Sequence, residues 1–119
     1  MSASETPQTE TIVAVDADLV VGVSSFGPRR QPASRQIGEI YALHVRPVSW
    51  RRGLGKRLLD DSKRRLEARG FVGAVLWVLR DNQNARRFYE TQGWAITGEE
   101  INEERGGYAI PETRYAITF

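Results

Sequence analysis

The chain has 119 residues, of which 40% are hydrophobic and 27% charged, and a net charge of +2, the composition of one soluble domain with a modest core. It has no cysteine, which excludes disulfides, thiolate metal sites and a cysteine nucleophile, and its single histidine argues against a His-built metal site. No apolar run approaches the ~20 residues of a membrane span. The opening MSASETPQTE lacks the basic and apolar segments of a secretory leader, so a cytoplasmic protein with no metal and no membrane contact is expected.

Residues 1–10 are polar and read as disordered. Thr11 to Val15 and Leu19 to Phe26 read as two strands, and Asp16-Ala17-Asp18 between them as the turn of a hairpin. Gly27 to Ile37 has two prolines, three arginines and no period, so it reads as a mobile loop that could serve as a flap. The strand from Glu39 to Val45 follows. Strict alternation puts Glu39, Tyr41, Leu43 and Val45 on one face and Ile40, Ala42 and His44 on the other, with His44 under a helix.

The strand stops at Arg46-Pro47, because proline offers no donor to a ladder. Leu54, Leu58, Leu59 and Leu66 then form a helical stripe that closes at Arg69-Gly70. Gly53 and Gly55 therefore stand where this helix begins, among Arg51, Arg52, Lys56 and Arg57. Cations in a first turn oppose the helix dipole, and open N–H groups there favour an anion. The reading is a pyrophosphate seat formed by Arg51, Arg52, Gly53, Leu54, Gly55 and Lys56. Positive charge is concentrated here, whereas Glu99, Glu100, Glu103, Glu104 and Glu112 make the later chain acidic.

Ala74 to Leu79 is apolar on both faces, which suits the middle of a covered sheet. Strand, helix and strand at this spacing make a right-handed βαβ unit with parallel strands. Asp81 or Asn82 can cap a second helix running to about Gln92 and closed by Gly93. Trp94 to Thr97, with Tyr108 or Thr113 to Phe119, read as the last strands, and Glu99 to Gly107 as a polar connection.

The runs IYALHVRPVSWRRGLGKRLL and LWVLRDNQNARRFYETQGW together resemble the GCN5-related N-acetyltransferases. The second carries Asn82, Ala85, Phe88, Tyr89, Gly93 and Trp94 in that superfamily's N-x-x-A-x-x-F-Y-x-x-x-G-[FW] pattern, and the resemblance spans residues 11–119, read as one domain. It implies an α/β fold with a mixed, mostly antiparallel sheet and a central parallel pair splayed for CoA. The family's usual first strand and two helices have no counterpart here, which leaves a sheet edge and suggests a homodimer. The implied activity is acetyl transfer from acetyl-CoA to a primary amine of a small molecule or protein. On that resemblance Leu43, His44 and Val45 line the pantetheine arm, Asn82 binds cofactor, and Tyr89 sits near the sulfur as the acid. Glu39 is the carboxylate placed to take the ammonium proton.

Two alternatives stand beside it. A catalytically degenerate relative would bind CoA or a partner without turnover. A nucleic-acid module would use Arg51, Arg52, Lys63, Arg64 and Arg65, but no aromatic residues interleave with that basic patch, so no nucleic-acid partner is expected.

Overall fold

The computed structural model describes residues 8–50 and 52–119. Among them six strands form one sheet in the order β1-β2-β3-β4-β6-β5. The strands are β1 (Glu10–Asp16), β2 (Leu19–Arg30), β3 (Ala33–Val45), β4 (Gly73–Leu79), β5 (Ala95–Arg105) and β6 (Tyr108–Thr118), and the helices are α1 (Leu54–Ala68) and α2 (Gln83–Thr91). A short 3-10 turn, Pro47–Ser49, joins β3 to the approach to α1. Only β3 and β4 are parallel; the other neighbours are antiparallel. No helix among the described residues is long and apolar enough to cross a membrane.

The β1–β2 hairpin turns on Ala17 and Asp18, both at positive φ (50° and 68°), as a two-residue turn matching strand twist requires. The strand begins at Glu10, whose carboxylate meets Arg65 and Arg69 of α1 and its C-cap. Residues 1–7, where most of the expected disordered segment falls, lie outside the described residues.

Two stretches read as irregular are strands. Residues 27–37 are not a loop: β2 continues through Pro28 to Arg30, turns at Gln31-Pro32, and β3 starts at Ala33. The ladder tolerates Pro28 because β1 ends opposite Phe26: at Pro28, paired with Gly38, β2 has a strand on one side only and its missing donor can face the side without one. Glu99 to Arg105 likewise belongs to β5, an edge strand exposed along most of its length, so no apolar alternation marks it.

Strand β3 carries a bulge. Ser25 pairs with Ala42 and Phe26 with Ile40, leaving Tyr41 as the extra residue. The bulge reverses the side-chain alternation. A methyl group on Gly38 would strike Leu66 of α1, and Val45 Cγ2 also approaches α1 near Gly55. These residues are an odd number apart, so one switch of face lies between them. Val45 therefore faces the helices, apart from Glu39, and His44 is exposed rather than under a helix.

The core lies between the sheet and the two helices. Phe26, Ile40, Leu59, Leu66, Leu76 and Tyr115 are essentially excluded from solvent within it. Each such side chain contributes on the order of 1.5–3 kcal/mol of burial. Tyr89 and Trp94 join the same cluster, which fixes the end of α2 against β4 and β6.

Candidate active site

The site begins where β3 and β4 part. Their parallel pairing covers four residues, Ile37–Ile40 against Gly73–Leu76. Beyond it β3 stays on β2 through Val45, and β4 stays on β6 through Leu79. The facing edges of Tyr41–Val45 and Trp77–Leu79 are thus left without each other. Arg46 N–H donates to Val21 on the β2 side (2.8 Å). By strand alternation, Leu43 and Val45 N–H then point into the opening and His44 N–H points to β2. The Val45 carbonyl accepts from Trp50 Nε1 at 2.7 Å, which ties the following loop to the strand end.

At the same end of the sheet, α1 presents its N-terminus. Gly53 is the N-cap with φ of 77°, and no side chain caps the helix. The first ladder bond runs from Arg57 N–H to the Gly53 carbonyl. The N–H groups of Leu54, Gly55 and Lys56 precede it and have no place in the ladder. No acidic residue occupies the first turn. Nothing lies within 4 Å of a methyl group placed on Gly53, whereas one on Gly55 would meet Phe88 of α2 at 3.5 Å. This is an open cradle of donors with a positive helix end, and its residues fit a pyrophosphate.

The surrounding cations are partly engaged already. Arg52 pairs with Asp16 at 3.2 Å and Lys56 with Asp60 at 2.8 Å, both across exposed surface. Arg51 lies outside the described residues. Two cavities of about 360 and 540 Å³ flank α1 along its outer sides, and neither includes Gly53 or the β3–β4 opening. The opening is the candidate site, because the Leu43 and Val45 N–H groups and the first-turn N–H groups of α1 lie at one end of the sheet outside any ladder, whereas the flanking cavities are lined by ion-paired α1 residues.

Tyr89 lies in α2 on the helix side of the sheet, edge-on to Phe88 and Trp94. Burial alone pushes its hydroxyl up to about 12. It therefore keeps its proton at neutral pH. Below pH 10 neither the folded nor the unfolded chain ionises this group. From about pH 10 to 12 only the unfolded chain releases the proton, so stability falls as pH rises. The loss expected from Tyr89 is about 1 kcal/mol per pH unit, and burial raises Tyr41 in the same direction. Urea denaturation at pH 9 and pH 11, run on the parent and on Tyr89→Phe, checks it: the parent should lose more.

Asn82 is the N-cap of α2, its side chain accepting from Ala85 N–H at 3.1 Å. That use needs no ligand. Asn82→Ala is expected to cost about 1 kcal/mol, read by thermal melting. Loss of acetyl-CoA affinity without loss of stability would give Asn82 the ligand role instead.

Glu39 is 2% exposed and stands on the sheet face away from the helices. It is not a strand-end carboxylate in water. One oxygen accepts from Arg30 N–H (3.0 Å) and the other from the Arg30 guanidinium (2.9 Å). Arg30 also stacks on the Tyr41 ring at 4.3 Å, and Tyr41 donates to the Pro28 carbonyl. The structure thus brings Leu43, Val45, Gly53, Leu54, Gly55 and Lys56 to one end of the sheet and leaves His44 aside. Sequence reasoning missed Arg30 and Arg114. The second had a visible signal, an arginine inside the otherwise strand-like TRYAIT.

A family model described as "Acetyltransferase (GNAT) family" matches residues 2–94. A mycothiol acetyltransferase of Streptomyces avermitilis is 46% identical over 63 residues, covering 53% of this chain and 20% of that protein. A probable N-acetyltransferase of Mycobacterium tuberculosis is 32% identical over 106 residues, covering 88% of this chain and 58% of that protein. The chain therefore spans about a fifth to somewhat over half the length of these curated relatives. A solved GNAT-family acetyltransferase from Elizabethkingia anophelis with acetyl-CoA bound superposes with a TM-score of 0.76 at 16% identity, covering 94% of this chain and 77% of that one. At that identity the likeness shows the fold.

Proposed function

We propose, from the premise that this chain belongs to the acetyltransferase (GNAT) family, that it transfers an acetyl group from acetyl-CoA to a primary amine of a small molecule or protein. The observation that carries the reading is the β3–β4 opening beside the free N-terminus of α1. A cytoplasmic location belongs to the same proposal.

The residues divide the chemistry as follows. The N–H groups at Leu54, Gly55 and Lys56 bind the pyrophosphate, with the helix dipole behind them. Leu43 and Val45 N–H, aimed into the opening, hold the arm and polarise the thioester oxygen. Glu39 accepts a proton from the ammonium, directly or through water, which gives nitrogen a free pair. Nitrogen then bonds to the acetyl carbon as the carbon–sulfur bond breaks, and the acylated nitrogen sheds its extra proton to water to leave the neutral amide. Tyr89 gives its proton to the departing sulfur and regains one from solvent.

Glu39 works only once Arg30 releases it, because both carboxylate oxygens are engaged. Glu39→Gln is therefore expected to lower turnover about tenfold, below the full range for a freely placed base. Equal turnover by the variant would remove Glu39 from this role. The same lock supports a second reading, CoA binding without turnover.

The test is calorimetric titration of the chain with acetyl-CoA, CoA and ATP, followed by a panel of primary amines. Micromolar binding of acetyl-CoA and CoA, with ATP weaker, and release of free thiol on amine addition are expected. Binding without thiol release selects the second reading. A folded chain that binds none of the three overturns both.

A further inference from the structure

We propose that Arg114 anchors a carboxylate carried by the acceptor, so that the preferred acceptors are amines bearing a carboxylate several atoms away. The amine half rests on the acetyltransferase reading; the carboxylate half rests on Arg114.

Arg114 is in β6 opposite Trp77 of β4. Leu76 and Val78 belong to the core under the helices, so Trp77 and Arg114 rise from the other face. Glu39 pairs with Val75, two residues before Trp77, and shares that face. Trp77 is also the first β4 residue past the β3 pairing, so it borders the opening and Arg114 stands one strand behind it.

The guanidinium is 2% exposed, yet its partners do not satisfy it. It lies over the Trp77 ring at 4.3 Å. Nη2 donates to the Gln31 carbonyl at 2.9 Å. Nη1 reaches Glu99 only at 3.5 Å, and that carboxylate is more than half exposed. Nε is buried and has no hydrogen-bond partner. A buried cation needs close, well-aligned anionic partners, and a buried N–H needs an acceptor. Nε and Nη2 form one edge of the guanidinium fork, the edge that takes a carboxylate through two parallel bonds. A main-chain carbonyl from the β2–β3 turn covers half of this edge, and a ligand carboxylate replaces it. The aromatic platform holds the guanidinium plane in position for that exchange.

The spacing sets the ligand's length. Glu39 and Arg114 are separated by two strand spacings of about 4.8 Å and two residues of about 3.3 Å, so their Cα atoms lie roughly 12 Å apart. Both side chains reach inward from those points. An acceptor with its amine at Glu39 and its carboxylate at Arg114 needs a flexible chain of several atoms.

The probes are 6-aminohexanoate and hexylamine, which differ only in the carboxylate. Acetylation by the parent is expected to favour 6-aminohexanoate by about 10- to 100-fold in kcat/KM, the worth of one bidentate charged contact. Arg114→Gln should bring that ratio to about one, and Arg114→Lys to an intermediate value, at unchanged KM for acetyl-CoA. Tryptophan fluorescence gives a readout without turnover: 6-aminohexanoate should cause a saturable change through Trp77, absent with hexylamine and lost in Arg114→Gln. A chain that acetylates neither amine but shows this carboxylate-dependent signal supports the anchor and places the failure in the transferase half alone. Equal responses of the parent to the two probes overturn the anchor, as does a preference that survives Arg114→Gln. The parent comparison stands if a variant fails to fold.

Discussion

Replacing Gly53 and Gly55 together by glutamate is expected to abolish acetyl-CoA binding at concentrations where the parent saturates. Gly53 holds a φ of 77°, where an L-residue costs roughly 1–2 kcal/mol. Its open side is where a phosphate would approach, so a side chain there fills the cradle. Two carboxylates also put negative charge against a negative ligand at the positive end of α1. Loss of two charge-assisted bonds at about 1.5–3 kcal/mol each corresponds to roughly 10²- to 10⁴-fold in affinity. Calorimetry reads the effect, and circular dichroism checks the fold. A folded double variant with parental affinity would move the phosphate seat elsewhere.

Tyr89→Phe is expected to lower kcat by about 10²-fold, the low end of what a positioned acid supplies, with acetyl-CoA affinity within about threefold of the parent. The substitution keeps the edge-on ring contacts with Phe88 and Trp94 and removes only the hydroxyl. Because that hydroxyl is pushed up to about 12, the parent should show no loss of rate from its ionisation below about pH 10. Steady-state turnover across pH 6 to 10 tests both statements. A variant as fast as the parent would assign the proton to water.

The sequence made legible the elements whose side chains report their surroundings. The leucine stripe of α1, the apolar run of β4, and the Asn82 and Gly93 boundaries of α2 stand within a residue or so of where periodicity and capping placed them. The long β2–β3 hairpin was illegible because prolines and arginines, read locally, look like a loop; past the end of β1 the hairpin has a free side that admits them. The polar half of β5 was illegible because an edge strand exposed on both faces has no alternation to display. The bulge at Tyr41 is the most consequential omission. One extra residue separated Glu39 from Val45 by face and moved His44 into solvent. The uncapped start of α1 at Gly53 was legible because the Gly-x-Gly turn and the leucine period lie side by side in the chain. The setting of Glu39 was not, because its partner Arg30 comes from a hairpin that local reading dissolves.

The short parallel contact between β3 and β4 has a mechanical meaning. Four residue pairs join two leaves of sheet, β1–β2–β3 and β4–β6–β5, as a short spine joins the covers of a book. Each leaf is internally fastened by much longer antiparallel ladders. Of the joins in the sheet this one has the fewest paired residues, so a change of angle between the covers would widen or narrow the opening. A molecule lodged between the covers would then act as a wedge as well as a ligand, holding the angle that the short spine leaves to it.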